Sequence, residues 1–369
     1  MKFRKGIEKD MLDQFFQSRI LRWLRQNLFS SFFDTALTIL AIYILIAVIP
    51  PVIEWALINS VWLADSRHAC WKEMASPGEG ACWALIIKRL NMFIYGFYPE
   101  HLYWRVNLSF LLLILAFIPI FVEKLPYRKN FLLYSISFPF IAGWILIGGL
   151  GLERVTTDLF GGIMLTIILG VTGVAFSLPI GILLALGRTS NLPAVKMLCV
   201  IFIEFIRGVP LIVLLFIAST MLNYFLPPGT SFDLLLRVLI MVTLFSAAYL
   251  AEVIRGGLAA IPAGQYEASQ AIGLSYWKTN RLIVLPQVLK VSIPGIVNTF
   301  IGLFKDTTLV VIIGLFDPLG IGRSSLADTK WGGLHMEVYI FIAIFFFICC
   351  FSMSRYSIFL EKRLSTDRV

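Results

Sequence analysis

From residue 32 onward the chain alternates long apolar runs with short polar stretches. Within the runs there is no period-two pattern: "LLLILAFIPIFV" is apolar at every position, unlike the alternating strand of a transmembrane barrel. About 18–20 apolar residues in helical form cross a hydrocarbon core of ~30 Å. On that measure eight spans are predicted, at about 32–58, 107–123, 131–151, 161–187, 198–226, 234–254, 291–316 and 336–358. The expected fold class is an all-α polytopic membrane protein of about eight transmembrane helices. The first run starts too late and runs too long for a cleaved signal, so it reads as an uncleaved first span.

Composition agrees with this pattern. The 369 residues are 59% hydrophobic and 14% charged, against roughly 45–50% and about 25% in soluble domains. In a soluble chain the net charge of +9 would suggest nucleic acid; here it reports loop orientation, and no nucleic-acid partner is expected. With the N-terminus inside, 20 Lys and Arg fall in inner segments and 8 in outer ones, while Arg207, Arg237 and Lys305 lie in or at the edge of spans. That bias places both termini in the cytoplasm.

Composition shifts near "GLERVTTDLFGG". The expected organisation is a basic cytoplasmic N-terminus (1–31), a three-span extension (32–151) with an outer loop at 59–106, and a five-span core (161–360). The core carries a cytoplasmic loop at 255–290, and 361–369 form a cytoplasmic tail.

Candidate chemistry is sparse. Cys199, Cys349 and Cys350 lie in apolar spans and read as packing residues. Cys70 and Cys82 flank a polar outer loop, where an oxidising compartment permits a disulfide; the sequence leaves that pairing open. His68, His101 and His335 are isolated, and no metal-ligand spacing occurs. Trp55, Trp62, Trp104, Trp144 and Trp331 mostly fall near predicted membrane interfaces, as belt residues do.

Charges inside spans are costly, about 2.5–3.5 kcal/mol each on insertion scales. Glu204 and Arg207 sit three apart on one helical face and either neutralise each other or line a polar path. Gly208 and Pro210 interrupt the same span and free polar backbone there. Arg207 suits a carboxylate through two parallel N–H bonds; Asp306 with Thr307 offers an acceptor for an amino group, or Asp306 pairs with Lys305 or with a neighbouring helix. Glu252 and Arg255, at the inner end of their span, read as an interfacial ion pair.

Between two apolar runs stands "EASQAIGLSYWKTNRLIVLP" (267–286). Pro262 suits a helix's first turn, Gly273 a left-handed stop, Ser275 an N-cap for a second helix, and Pro286 the start of the next span. These signals predict a cytoplasmic helix–turn–helix.

The spacing of Glu267-Ala268-Ser269, Gly273, Ile283, Leu285 and Pro286 matches E-A-A-x3-G-x9-I-x-L-P, with Ser269 in place of the second Ala. It resembles the coupling loop of permease subunits from ATP-binding-cassette (ABC) importers. "EFIRGVPLIVLLF", "AAYLAEVIRGGLAAIPAGQYEA" and "FKDTTLVVIIG" resemble the polar amino-acid permeases of the histidine/glutamine type. The extension resembles that of the longer general L-amino-acid permease subunits. The resemblance implies a type I permease core that works with a second homologous permease, two ATPase subunits and a periplasmic amino-acid-binding protein in a bacterial inner membrane. ATP and Mg would then bind the separate ATPase, in keeping with the lack of a G-x-x-x-x-G-K-[ST] loop here. On this reading the chain is a transport subunit and no enzyme, with no catalytic residue and no cofactor of its own. A self-sufficient secondary amino-acid transporter or channel is the alternative.

Overall fold

A computed structural model describes residues 22–122, 125–221, 224, 227 and 232–365. Most of the basic segment 1–31, the end of the expected 198–226 span and the last few residues of the tail lie outside them. The chain forms two compact units, Met1–Leu85 and Ile86–Val369. No β-strand occurs among the described residues, only isolated bridges.

In the first unit, helix α1 (Phe32–Ile53) opens on an N-cap, Ser31, whose hydroxyl accepts from the Asp34 N–H. Its apolar side chains are exposed all round, as suits a helix surrounded by lipid. Pro50 and Pro51 near its end are followed by a wide π turn, Glu54–Ile58. Next comes a compact loop with a short helix, α2 (Arg67–Glu73). Cys70 and Cys82 are joined by a disulfide and are fully buried. Backbone bonds from Ala81 N–H to Trp55 O and from Val61 N–H to Ala81 O tie the loop to the foot of α1. Trp83 adds a bond to Ala56 O (2.7 Å) and packs against Trp55 and Trp62. These tryptophans therefore do structural work in the loop.

The second unit holds α3 (Leu90–Tyr95), α4 (Tyr103–Phe121), α5 (Arg128–Ile147), α6 (Gly162–Arg188), α7 (Pro193–Gly208) and α8 (Leu211–Phe216). After these come α9 (Leu234–Ala259), α10 (Ala263–Ala271), α11 (Tyr276–Thr279), α12 (Leu285–Asp306), α13 (Pro318–Ala327) and α14 (His335–Ser365). Small residues set the close packing of α6, α9 and α12. A methyl on Gly181 would meet Leu250 Cβ at 2.8 Å, one on Gly257 the Ser292 hydroxyl at 2.3 Å, and one on Gly295 a Val253 methyl at 2.6 Å. Membrane helices gain little from hydrophobicity against one another, so such close backbone approach supplies their attraction.

Among the described residues, seven helices are long and apolar enough to cross a membrane. An eighth is obtained if Pro193–Gly208 and Leu211–Met221 count as one span, though they bend by 102°. The single 198–226 span expected from sequence is therefore broken. The residue before a proline disfavours the helical region, and Val209 and Pro210 are both extended. The sixth span runs on to Ala259, beyond the expected 254, and the seventh begins at Tyr276, well before 291. Arg237 is buried and donates to Ala218 O and Ser219 O (3.1 and 2.6 Å), satisfying carbonyls beyond α8. Trp331 is buried in protein, in contrast to the interfacial belt position expected for it.

At one end of this unit Gly96 lies against Gly161, with φ of +66°. A Cβ on Gly96 would fall 2.4 Å from Gly161 Cα. Gly96→Ala is expected to cost about 3 kcal/mol through overpacking and left-handed strain, read as a lowered thermal midpoint of the purified protein. An unchanged midpoint would mean that this crossing relaxes freely.

Candidate coupling elbow and polar path

The segment after α9 folds into two helices joined by a sharp turn. Pro262 is extended and precedes α10, where its missing N–H leaves no intrahelical bond unmade. Its helix ends in a Schellman motif: the Leu274 N–H donates to Ser269 O (3.0 Å) and the Gly273 N–H to Gln270 O (2.9 Å). The motif needs a left-handed residue, and Gly273 has φ of +75°. Ser269 is buried; its hydroxyl donates to Tyr266 O (2.7 Å) and accepts from the Thr279 hydroxyl (3.1 Å). The departure from Ala at this position thus pins α10 to α11.

One detail differs from the sequence expectation and one agrees with it. Ser275 stands at the N-cap of α11, but its side chain makes no capping bond. Pro286 lies within the first turn of α12. A π turn, Asn280–Val284, carries the helix past it, so the elbow passes into the span without a loop.

Glu267, Ala268 and Pro286 are exposed, while Ile283 and Leu285 are half-buried. Large apolar groups also face outward: Ile272, Leu282, and the adjacent rings of Tyr276 and Trp277. The motif spacing did not single out those aromatics; their signal was an aromatic pair directly after Ser275.

A cluster of five charges joins three helices. Arg188, the last residue of α6, donates to Glu204 (2.6 Å) and lies 3.1 Å from Glu252. Arg207 approaches Glu252 at 3.6 Å and Glu204 at 3.9 Å, and Arg255 Nε bonds Glu252 at 3.1 Å. Arg207 also lies over the Tyr249 ring at 5.6 Å. The pairing expected between Glu204 and Arg207 is thus the longest link in the network. Arg188, which motif reading missed, is the nearest partner of Glu204. Glu252 and Arg255 belong to the same network.

Gly208 and Pro210 lie at the break between α7 and α8, and α8 packs against the 3-10 turn Thr307–Ile313. Asp306 ends α12 just before that turn, half-buried, with no ion pair to Lys305 among the described residues. Thr307 is fully buried and donates to Phe304 O (2.7 Å). Two interruptions of helical regularity therefore lie side by side at membrane depth. Irregular backbone of this kind is tolerated only where protein or a polar cavity satisfies it.

Residues 177–366 match the family model of the binding-protein-dependent transport system inner membrane component. The chain is 48% identical over 353 residues to the inner membrane amino-acid ABC transporter permease protein YhdY of Escherichia coli K12, covering 95% of each. It is 45% identical over 411 residues to the glutamate/glutamine/aspartate/asparagine transport system permease protein BztC of Rhodobacter capsulatus, covering 94% of each. A crystal structure of an amino acid ABC transporter with histidines overlaps 55% of this chain and 92% of its own, at 29% identity and a TM-score of 0.49. With a family match over more than half the chain and full-length relatives near one-half identity, the chain belongs to the binding-protein-dependent transport inner membrane component family, as a permease subunit of the amino-acid ABC transporter kind.

Proposed function

We propose that this chain pairs with a second homologous permease to form the path of an ATP-driven amino-acid importer in a bacterial inner membrane. Two ATPase subunits, which bind ATP and Mg, dock on the elbow, and a periplasmic binding protein delivers the amino acid to the opposite face. Both termini are then cytoplasmic, and the disulfide-bonded loop faces the periplasm.

One observation carries this reading: a rigid, exposed elbow runs without a loop into a membrane helix. Hydrogen bonds from Ser269 and Gly273 fix its shape, so force on Tyr276, Trp277 and Glu267 moves α12 as a body. Such an element has a use only if something outside the membrane pushes it, which disfavours the self-sufficient transporter. Copurification of an ATPase and a second permease with this chain, and ATP-dependent uptake by that complex in proteoliposomes, test the assignment. Uptake by the chain alone would overturn it.

Within this reading the polar path runs past Gly208 and Pro210, with Asp306 and Thr307 alongside and Glu204 and Arg207 towards the cytoplasmic end. Asp306→Asn removes the carboxylate charge at the break. A charge-assisted hydrogen bond contributes about 1.5–3 kcal/mol, so uptake is expected to show KM raised at least about tenfold. Unchanged kinetics would move substrate contact to the partner permease.

A further inference from the structure

A crevice of about 480 Å³ opens within the second unit, between the α4–α5 hairpin and the pair α6–α9. All four helices pass the length and hydropathy test for membrane spans, so the crevice lies at the depth of lipid chains. Phe110, Gly143, Ile168, Phe176, Leu239 and Ile240 are among its walls. No charged residue lines it, and its side-chain polar groups are the hydroxyls of Ser109, Thr172 and Thr243. The two walls meet where the Phe140 and Phe176 rings pack edge to face, 5.6 Å apart.

We propose that this crevice holds one acyl chain of a membrane phospholipid, wedged between the hairpin and the central helices. Water does not suit it, because a buried water needs two to four polar partners. Nor does a protein helix: at ~10–12 Å across and 5.4 Å per turn, a helix fills about 420–610 Å³ each turn. Even with the open space at its mouth counted, the crevice offers about 1440 Å³, about two to three turns, whereas a spanning helix needs more than five. A hydrocarbon chain is thin, flexible and already present around the protein. Dispersion contacts on both sides hold it, since leaving such a gap empty forfeits them. Gly143 marks the gap directly, because a Cβ built there meets no heavy atom within 4 Å.

None of these residues belongs to the elbow or the charge cluster, so lipid retention and uptake are read separately. The test is native mass spectrometry of the purified transporter complex after extensive detergent exchange. The wild-type complex is expected to retain one phospholipid for each copy of this chain. Gly143→Trp and Ile240→Trp, which fill the crevice from opposite walls, are expected to lose it. Leu183→Trp, an exposed position on α6 outside the crevice, is expected to keep it. A wild-type complex that retains only detergent overturns the proposal, and so does equal retention in an assembled crevice variant. Should neither crevice variant assemble, the wild-type measurement decides alone.

Discussion

Gly273→Pro is expected to yield a transporter that inserts and assembles, hydrolyses ATP at its basal rate, and takes up no amino acid above background. Proline holds φ near −65°, whereas position 273 sits at +75°. It also removes the N–H that donates to Gln270 O. Either loss undoes the Schellman motif, so α10 no longer keeps its angle to α11. Gly273→Ala is the graded form. Open space surrounds the position, so only the left-handed strain of about 1–2 kcal/mol remains. That strain lowers the ratio of native to altered elbow by about 5–30-fold, and uptake should fall between the two limits. Parallel assays of uptake and of binding-protein-stimulated ATP hydrolysis check this. If both stay at wild-type levels in Gly273→Pro, the elbow does not couple the motor to the path.

Glu252→Gln is expected to lower stability by about 3 kcal/mol. Its carboxylate is the shared partner of Arg188, Arg207 and Arg255, with a side chain only 16% exposed. Neutralising it leaves three guanidiniums around Glu204, and breaking a buried pair from one side typically costs 3–5 kcal/mol. Glu204 is 52% exposed in the chain by itself, so solvent screens its ion pairs and Glu204→Gln should cost far less than Glu252→Gln. Thermal midpoints of the purified complex separate the two. In a double-mutant cycle, Arg188→Gln combined with Glu252→Gln should cost less than the sum, by about 0.5–3 kcal/mol. Additive effects would mean that the two residues act independently despite their 3.1 Å approach.

The elbow was the most legible part of the chain because its signals are local. Gly273 needs a left-handed residue at a helix end, and Pro262 fits just before a helix whatever surrounds it. The π turn was not legible: Pro286 suggests a boundary, and only the continuation into α12 shows that the helix widens to pass it. The break at 208–210 was visible as a Gly and a Pro in an apolar run. Its 102° turn was not, because packing of α8 against α9 and the 307–313 turn sets that direction.

The sequence by itself determined that the chain crosses a membrane as long apolar helices, and it marked the turn at Gly273. A segment without water must satisfy its own backbone, so length and apolar period suffice to define it. Tertiary structure alone decided which charges neutralise one another and where the crevice opens. Arg188, Glu204 and Glu252 stand on three different helices, and interhelical approach depends on the glycines and side chains that face each other there. No periodicity along a single helix records that.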